Sequence, residues 1–379
     1  MIKILHILQT FGIGGMESRV ARLAIGLTGQ EFQIHILTLR PLSGRSPALP
    51  PEVSVSLFEI ESGIRLGRLM DLARYIKSNG FDIVHTHNWS TMLYGILAGK
   101  LARVPLVIHG EHGLNYQDLK GIPWKRAWAQ TILAHLCDHV VPIHGQMSES
   151  LIKSWKMDPT KVTPLSNGVD LSKFKVGPSK GPEPEGSALG ASSNEFVIGA
   201  VGRLDRVKNL PCLIKAVALL KARFPEKGGI RLVLVGEGPE RAGLEMLADS
   251  LGVSDITNFI GDATEPEAWY AKFDVYVNSS FSEGMSNTLL EAMASGLPLV
   301  VSKIPGNISW VRENENALGF ESDQEKDLAE KLATFKNDTG LRRKMGGNNR
   351  NRVETEFDNR FFLNKYEKLY RELMSRRFR

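Results

Sequence analysis

The chain begins with residues 1–27, MIKILHILQTFGIGGMESRVARLAIGL, in which an apolar run, a glycine-rich turn and a segment with helical spacing follow one another. The run Ile2–Leu8 predicts a buried strand, because a strand covered on both faces is apolar throughout. Apolar residues recur every three or four positions over residues 16–27, which predicts a helix. A strand that turns directly into a helix begins a β-α-β unit, so this stretch predicts a parallel sheet.

The alternation of strand and helix continues to residue 143, pauses between residues 174 and 194, and restarts at residue 196. The pause is dense in Pro, Gly and Ser and has no periodic apolar face, which is typical of a linker. We therefore predict an α/β protein with two doubly wound domains. Their predicted bounds are residues 1–175 for an N-terminal domain, 194–355 for a C-terminal domain and 356–379 for a final helical segment.

The predicted elements of the first domain are strands 2–8, 32–39, 53–59, 83–87, 104–108 and 139–143 and helices 16–27, 66–78, 91–101 and 123–136. Those of the second domain are strands 196–201, 231–235, 256–260, 275–278 and 299–301 and helices 210–224, 239–251, 265–272 and 287–294. A tail helix is predicted over about residues 359–374.

Length and composition indicate a globular enzyme. A chain of 379 residues is too long for one ordinary hydrophobic core, which favours two domains. Hydrophobic residues make up 42% and charged residues 23%, which excludes a disordered or fibrous chain. Cys137 and Cys212 have no ligand or disulfide spacing, so we expect a reducing cytoplasm. We expect neither a signal peptide nor a transmembrane helix, since no segment reaches about 20 apolar residues.

Charge is unevenly distributed along the chain. Residues 1–175 carry a net charge of +6, residues 176–339 one of −8 and residues 340–379 one of +7. This pattern favours an anionic partner that touches only part of the molecule. From charge alone, a lipid surface, a phosphorylated acceptor and a nucleic acid fit equally well, and ordinary solvated charge explains the tail equally well.

A first candidate phosphate site is the glycine turn at residues 12–17, which follows the first strand. Glycines let the backbone approach a phosphate, and the start of the next helix supplies N–H donors, so Gly14 and Gly15 are candidates. A dinucleotide fingerprint needs a third glycine three positions after Gly14, and no glycine stands there. An ordinary strand-to-helix turn explains these glycines equally well.

A second candidate site is GRLDRVKN at residues 202–209, just past the first strand of the second domain. Ligands of open α/β sheets bind at the carboxyl ends of the strands. Arg203 can donate to two phosphate oxygens, and Lys208 adds a point charge. Such cations would stabilise the negative charge of a departing pyrophosphate. The alternative is a solvated loop.

The most informative stretch is SEGMSNTLLEAMASGLP at residues 282–298. Small and polar residues precede a helix that is predicted to begin near Asn287, and the first amides of a helix have no partner within it. Carboxylates accept from hydroxyl groups, so Glu291 suits a ribose and Glu283 a sugar ring. An acidic residue at a helix start would explain Glu283 but not the whole stretch.

Two histidines on one predicted strand are candidate metal ligands. His85 and His87 are two positions apart on one strand and therefore share a face, but no third ligand has a convincing spacing. We interpret them as residues that pack at the strand end or line a cleft. No D-x-D pair is present to hold a metal-bound pyrophosphate, so a metal-independent reaction is predicted.

The stretch at residues 282–298 resembles the E-x7-E motif of the retaining glycosyltransferases of family 4, which have the GT-B fold of two Rossmann-like domains. The resemblance extends over nearly the whole chain. Residues 14–17 resemble the N-terminal glycine loop of this family, Gly202 and Arg203 with Lys208 its diphosphate-binding residues, and residues 235–239 its loop near the base. Residues 167–170 are similar to the segment that enters its interdomain hinge.

The resemblance also implies site residues. It implies a sugar-facing histidine after a first-domain strand, for which His112 is favoured over His109. The implied catalytic residues are His112 and Glu283. The implied donor-binding residues are Gly14, Gly15, Arg203, Lys208, Gly236, Glu237, Glu283, Gly284, Met285, Ser286, Asn287, Thr288 and Glu291, with no metal and no cofactor.

The resemblance implies a reaction as well. A nucleotide-diphosphate sugar, most simply a UDP-sugar, would bind mainly to the second domain, and a lipid-linked or saccharide acceptor to the first. The tail helix would return to the first domain. The expected setting is bacterial polysaccharide, lipopolysaccharide or glycolipid synthesis in the cytoplasm or at the inner membrane surface, with no nucleic acid.

A membrane surface is also suggested by aromatic residues mixed with cations, namely Trp124, Lys125, Arg126, Trp128 and Trp155. Tryptophans packed on the core with cations outside would explain the same residues. The sequence alone is also compatible with three other functions: a nucleotide-sugar epimerase, a dinucleotide-dependent oxidoreductase and a non-catalytic nucleotide-sugar-binding protein.

Overall fold

The computed structural model describes residues 1–12, 14–29, 31–42, 46–61, 63, 65–113, 118, 121–176, 195–225, 229–263 and 265–377. Residues 177–194, most of the predicted linker, lie outside this set. The chain folds into two compact units. The first comprises Met1–Gly113, a segment that ends at Asn167 and a segment that begins at Arg360, and the second comprises Gly168–Asn359.

Each unit contains a six-stranded sheet in which every pairing is parallel. The strands of the first unit are β1 (Ile2–Leu8), β2 (Phe32–Thr38), β3 (Ser54–Leu57), β4 (Ile83–His87), β5 (Leu106–Glu111) and β6 (His139–Pro142). Those of the second are β7 (Phe196–Val201), β8 (Ile230–Val235), β9 (Thr257–Gly261), β10 (Val275–Asn278), β11 (Leu299–Ser302) and β12 (Ala317–Phe320).

Helices connect the strands. Those of the first unit are α1 (Gly15–Leu27), α2 (Leu66–Asn79), α3 (Trp89–Leu101), α4 (Trp124–Leu136) and α5 (Gly145–Trp155). Those of the second unit are α6 (Leu210–Arg223), α7 (Arg241–Ser250), α8 (Pro266–Tyr270), α9 (Asn287–Ala294), α10 (Pro305–Ile308), α11 (Glu325–Asn337) and α12 (Thr339–Arg352). A π-helical turn, Val353–Phe357, leads to the last helix, α13 (Asn359–Arg377). No helix within the described residues is long and apolar enough to cross a membrane.

Both sheets have the doubly wound order. The first is β3-β2-β1-β4-β5-β6 and the second is β12-β11-β10-β7-β8-β9. The direction of winding reverses between β1 and β4 in the first unit and between β7 and β10 in the second. At such a point the loops after two neighbouring strands diverge and leave a crevice for a ligand. The predicted fold class is therefore confirmed, and each unit has one crevice position.

Several elements were not predicted from the sequence: α5, α10, α11, α12 and β12. Helix α12 has the sequence TGLRRKMGGNNRNR, whose glycines and asparagines have low helix propensity. Tertiary hydrogen bonds offset this, because buried Asn349 donates to the carbonyl oxygens of Leu297 and Asn316 at 2.8 Å each. The helix therefore depends on contacts that a local pattern does not contain.

Arg19 on α1 ties together three segments of the first unit that are distant in sequence. Its side chain is fully buried. It donates to the Asn167 side chain, to the Leu165 carbonyl oxygen at 2.7 Å and to the Tyr366 hydroxyl on α13 at 2.6 Å. Its guanidinium carbon also lies 5.3 Å from the ring centroid of Phe362. These neutral acceptors and rings replace the water that a buried guanidinium loses.

Three histidines lie side by side beneath the crevice of the first unit. His6 on β1 is in register with His85 on β4, and His87 follows two residues later. All three side chains are fully buried. Burial lowers the pKa of His6 to about 3. Burial, together with the neighbouring histidines, also lowers the pKa of His85 and His87 well below the usual value. All three rings are therefore neutral at pH 7.

Replacement of Arg19 tests its role in docking α13. In Arg19→Met, the acceptors on Asn167, Leu165 and Tyr366 lose their donor inside the core, so we expect a free energy of unfolding lower by about 3 kcal/mol or more. Urea denaturation would measure this. The control is Arg22→Met on the same helix, where the arginine is partly exposed and donates to the Ser18 carbonyl oxygen at 3.3 Å. Equal losses in the two variants would contradict this role.

The buried histidines also predict a pH dependence of stability. Because their folded pKa values are lowered, the unfolded chain binds more protons below its histidine pKa of about 6.5, and stability falls as the pH decreases from there. Each such histidine contributes a slope of up to about 1.4 kcal/mol per pH unit. In His85→Phe, the free energy of unfolding should fall less steeply between pH 6.5 and pH 5, by up to about 1.4 kcal/mol per pH unit. The prediction would be refuted if the free energy of unfolding, measured by denaturation, had the same slope against pH in His85→Phe and in the wild type.

Candidate active site

The second unit has an open pocket at its crevice, of about 320 Å³. It lies where β7 and β10 end, and its lining includes Gly202, Arg203, Lys208, Tyr276, Asn278 and Ser280. Lys208 and Arg203, which were predicted to bind a diphosphate, both line it. The pocket is therefore located where an open parallel sheet binds ligands.

Glu283 is held at this pocket by three donors. Its Oε1 accepts from Lys208 Nζ at 2.7 Å, from Ser280 Oγ at 2.7 Å and from Asn278 Nδ2 at 3.3 Å. The Lys208 and Glu283 side chains are only 23% and 12% exposed, so solvent screens this ion pair less than a surface pair. The carboxylate is thus fixed in position rather than free to rotate.

The start of α9 lies next to this cluster. Ser286 is its N-cap, and the Ser286 hydroxyl accepts from the Leu289 amide at 3.4 Å. The Thr288 hydroxyl accepts from Tyr276 at 2.7 Å, and Glu291 Oε2 accepts from Tyr270 at 2.8 Å. Burial is the main cause that raises the pKa of both tyrosines, so both remain protonated donors.

Among the other predicted residues of this stretch, Met285 is buried and Gly284, Asn287, Thr288 and Glu291 are partly buried. The backbone here is crowded, because a Cβ on Gly306 would lie 1.9 Å from the Glu283 carbonyl oxygen. A side chain at position 306 would therefore displace the loop that carries Glu283.

The loop after β8 approaches the loop after β7 closely. Gly236 has a φ of +134°, and a Cβ there would lie 2.1 Å from the Gly202 carbonyl oxygen. Only glycine fits this position. Glu237 forms an ion pair with Arg241 on α7, and Arg203 has a 69% exposed side chain with Nε 3.5 Å from Asp205. Neither Glu237 nor Arg203 belongs to the Glu283 hydrogen-bond cluster.

In the first unit, Gly14 is the N-cap of α1 and Gly15 its first residue. A Cβ on Gly14 would lie 2.3 Å from Glu17 Oε2, so the Glu17 carboxylate lies against the turn. A carboxylate complements the positive end of a helix but repels a phosphate. This arrangement disfavours an anion at Gly14.

His112 follows β5 and differs from His109 in its surroundings. Its Nε2 lies 2.9 Å from His87 Nδ1, and its backbone amide donates to Asn88 Oδ1 at 2.8 Å. His109 is fully buried within the sheet, with Nδ1 2.8 Å from Thr86 Oγ1. Burial, followed by the charge of Arg19, lowers the pKa of His112 well below the usual value.

Several residues of these clusters were not predicted from the sequence: His6, Asn88, Tyr270, Tyr276, Asn278 and Ser280. Asn278 and Ser280 follow β10 directly, and polar residues at a strand end are the signal that could have found them. His6 is the third histidine beside His85 and His87, for which no spacing argument had found a partner. Their ligand-type nitrogens lie within 4.8 Å of one another.

The aromatic residues of α4 are exposed, whereas Trp155 is not. Trp124 and Trp128 are 75% and 67% exposed, and Ile132 and Leu136 continue the same four-residue spacing as exposed side chains. Trp155 on α5 is buried in the core of the first unit. The expectation that it belongs to a membrane-facing group is therefore wrong, because it packs inward.

Comparison with protein families agrees with this architecture. A family model described as glycosyltransferase family 4 matches residues 13–173, and one described as group 1 glycosyl transferases matches residues 185–352. The solved structure of Anabaena HepE in complex with UDP and glucose superposes with a TM-score of 0.82 at 20% identity, over 98% of this chain and 100% of HepE.

Two curated relatives are similar over most of their length. A Bacillus subtilis (strain 168) protein described as the glycosyltransferase EpsF is 30% identical over 315 residues, 79% of each chain. The Escherichia coli UDP-Gal:alpha-D-GlcNAc-diphosphoundecaprenol alpha-1,3-galactosyltransferase is 29% identical over 309 residues, 81% of this chain and 79% of that enzyme. The chain therefore belongs to the group 1 glycosyltransferases and has their GT-B fold of two Rossmann-like domains.

Proposed function

We propose that this glycosyltransferase moves a hexose from a UDP-sugar, with retention and without a metal ion, to a lipid-linked or saccharide hydroxyl in polysaccharide or glycolipid synthesis. The observation that carries the proposal is the Lys208–Glu283 pair, fixed by Ser280 and Asn278 at the crevice of the second sheet. The pair combines a cation for phosphate with a carboxylate for sugar hydroxyls, which matches the two halves of a nucleotide-sugar.

The diphosphate is proposed to bind to Lys208, Arg203 and the first amides of α9. Lys208 and Arg203 line the pocket, and the α9 start adds backbone donors with a partial positive charge. These groups would stabilise the charge that develops on the phosphate as its bond to the sugar breaks. Because fixed protein cations meet this need, no metal ion is required in the proposal.

The sugar and ribose are proposed to bind to the two glutamates. Glu283 Oε1 receives all three of the bonds described above, which leaves Oε2 for a sugar hydroxyl. The Glu291 carboxylate, oriented by the Tyr270 hydroxyl, would accept from the ribose. His112 would contact the transferred sugar, as the family resemblance implies.

In the proposed reaction the acceptor hydroxyl oxygen bonds to the anomeric carbon on the face from which the phosphate departs. The bond between that carbon and the phosphate oxygen breaks, and the acceptor proton passes to a phosphate oxygen. Sugar transfer with retained configuration follows without a covalent enzyme intermediate. Glu283 then serves to position the sugar and not as a nucleophile.

The choice of donor and acceptor is supported by relatives. The similar E. coli enzyme is named for UDP-galactose and for a sugar linked to diphosphoundecaprenol, and the similar Anabaena structure contains UDP and glucose. We therefore propose a UDP-hexose donor and a membrane-borne lipid diphosphate as acceptor carrier.

Contact with a membrane would involve one face of α4. Its exposed stripe of Trp124, Trp128, Ile132 and Leu136 is suited to the boundary between headgroups and acyl chains. Lys125 Nζ lies 5.6 Å from the Trp124 ring centroid, which adds a cation that attracts anionic lipid. We propose peripheral association through this stripe.

Lys208→Ala tests the donor site. Loss of the cation should lower kcat/KM for sugar transfer by about 100-fold. It should also reduce the thermal stabilisation by UDP, which at 100 times Kd corresponds to about 2.7 kcal/mol in the wild type. Transfer from UDP-glucose and UDP-galactose to GlcNAc-diphosphoundecaprenol would be followed by mass spectrometry with EDTA present, and NMR of the product would give its anomeric configuration.

The matched control is Lys221→Ala, which removes a lysine paired with Asp255 at 2.7 Å on the exposed surface of the same unit. This variant should have a kcat/KM for sugar transfer within twofold of the wild-type value. Isomerised donor without transfer would indicate an epimerase, and binding of NAD without UDP an oxidoreductase. Inhibition by EDTA would overturn the metal-independent reaction, and an inverted product would overturn retention.

Trp124→Ser/Trp128→Ser tests the membrane stripe. The double variant should lose most of its binding to vesicles of phosphatidylglycerol and phosphatidylcholine in co-sedimentation, while its melting temperature stays close to that of the wild type because both rings are exposed. Met246→Ser, at an exposed apolar position on α7, is the control and should bind like the wild type. Undiminished binding by the double variant would exclude the stripe.

A further inference from the structure

Three imidazoles form a continuous hydrogen-bonded chain in the first unit. His6 Nδ1 lies 2.9 Å from His87 Nε2, and His87 Nδ1 lies 2.9 Å from His112 Nε2. His6 and His87 are fully buried, whereas the residue His112 is partly exposed. The chain therefore runs from the core of the sheet to the end of β5, where His112 follows the last strand residue.

The number of protons on the three imidazoles limits the directions that their two hydrogen bonds can take. Burial lowers the pKa of all three rings well below 7, so each ring carries one ring proton. Both nitrogens of His87 are used, so it donates with one and accepts with the other. The two hydrogen bonds must then point in the same direction. Either both run from His6 toward His112, or both run from His112 toward His6.

The ring nitrogens at the two ends of this hydrogen-bonded histidine chain decide between these directions. His6 Nε2 and His112 Nδ1 are both buried, and neither has a hydrogen-bond partner among the residues that the structure describes. If the bonds ran toward His6, its Nε2 would carry an N–H with no acceptor in a closed core, and orphaned buried N–H groups are rare. If they run toward His112, His6 Nε2 holds only a lone pair, and the unpartnered N–H lies instead on His112 Nδ1, in a partly exposed residue at the strand end, where a bound ligand can supply the acceptor that the closed core around His6 cannot.

A metal ion is a less suitable occupant of the cluster. The three candidate ligands His6, His85 and His87 are neutral and include no carboxylate. The positive charge of buried Arg19 already acts on His85 and His87. A divalent cation would add charge beside a buried guanidinium without an anionic ligand to offset it.

We propose that His6 and His87 are positioning residues that hold His112 in the tautomer protonated at Nδ1, which makes Nδ1 a hydrogen-bond donor to an oxygen of the transferred sugar. The partner of one imidazole nitrogen sets the proton of the other, and here that control passes through two rings. The inference rests on the proposed function for the sugar contact of His112, but the tautomer itself does not depend on activity.

The first experiment reads the tautomer directly. The chain has nine histidines, few enough for their ring nitrogens to be resolved in ¹⁵N-histidine-labelled protein and assigned with single substitutions. We expect His112 in the wild type to carry its proton on Nδ1. In His6→Phe the donor to His87 is lost, so His112 should become a mixture of tautomers. His6→Asn, whose side-chain amide can donate in place of Nδ1, should restore the wild-type pattern.

The second experiment measures transfer by the same proteins. His6→Phe should lower kcat on the order of tenfold, as loss of a residue that orients a functional group does, while KM for the UDP-sugar changes less than threefold. His6→Asn should recover most of the rate. The control is His85→Phe, which removes an equally buried imidazole that bonds to Tyr370 at 2.8 Å and not to His112. It should leave both the tautomer and kcat unchanged.

Each outcome has a separate meaning. A wild-type His112 protonated on Nε2 would overturn the inference even if His6→Phe did not fold. Equal tautomers and equal kcat in His6→Phe and the wild type would also overturn it, with the transferase function intact. Binding of one equivalent of Zn²⁺ that is lost in His6→Phe would replace it with a metal site. A wild type that neither binds UDP-sugars nor transfers sugar would instead overturn the proposed function, and the NMR result would still stand.

Discussion

The structure of the first unit depends on one buried positive charge. A guanidinium removed from water is costly unless all its surroundings compensate, and Arg19 finds this compensation only where three distant segments meet. Asn167 and the Leu165 carbonyl come from the end of the second segment of this unit, and Tyr366 comes from the last helix. The guanidinium therefore specifies where α13 docks, in addition to the apolar contacts that stabilise the helix there.

The same charge influences the nearby histidines. It contributes to the low pKa of His85, His87 and His112, although burial is the larger cause for each. A neutral imidazole can both donate and accept, whereas an imidazolium only donates. Because Arg19 helps to keep His87 and His112 neutral, the directional chain that they form with His6 can exist. A structural interaction and the proposed chemistry of the site are thus connected through electrostatics.

Most of the fold could be predicted because its signals are local. Buried parallel strands such as Ile2–Leu8 and Phe196–Val201 are continuous apolar runs, and glycine turns separate them from helices. Helix α12 could not be predicted, since its glycine- and asparagine-rich sequence has low helix propensity and the tertiary bonds of Asn349 that stabilise it are not local. An element of this fold could not be predicted from sequence where the residues that stabilise it are distant in sequence.

The same limit applies to the site. Lys208 and Glu283 were identified singly, from their positions near strand and helix ends, but their hydrogen bond joins residues 75 positions apart. His6 and His87 are 81 positions apart and are brought together by the pairing of β1 with β4. No spacing rule contains such a pair. The family resemblance alone supplied a role for Glu237, and Arg203 was also predicted from its position after a strand; in the structure their ion-pair partners are Arg241 and Asp205.

The first unit is discontinuous in sequence, and this has a consequence for its synthesis on the ribosome. Gly168–Asn359 is contiguous and can fold as soon as it has emerged, whereas the segment of the first unit that begins at Arg360 emerges after it. Until then the core cluster that includes Val20 and Leu23 lacks the side chains that α13 contributes to it, and Arg19 lacks one of its acceptors. Domains generally fold in order from the N-terminus during translation. Here the N-terminal unit can complete its core only after the whole of the second unit has been synthesised.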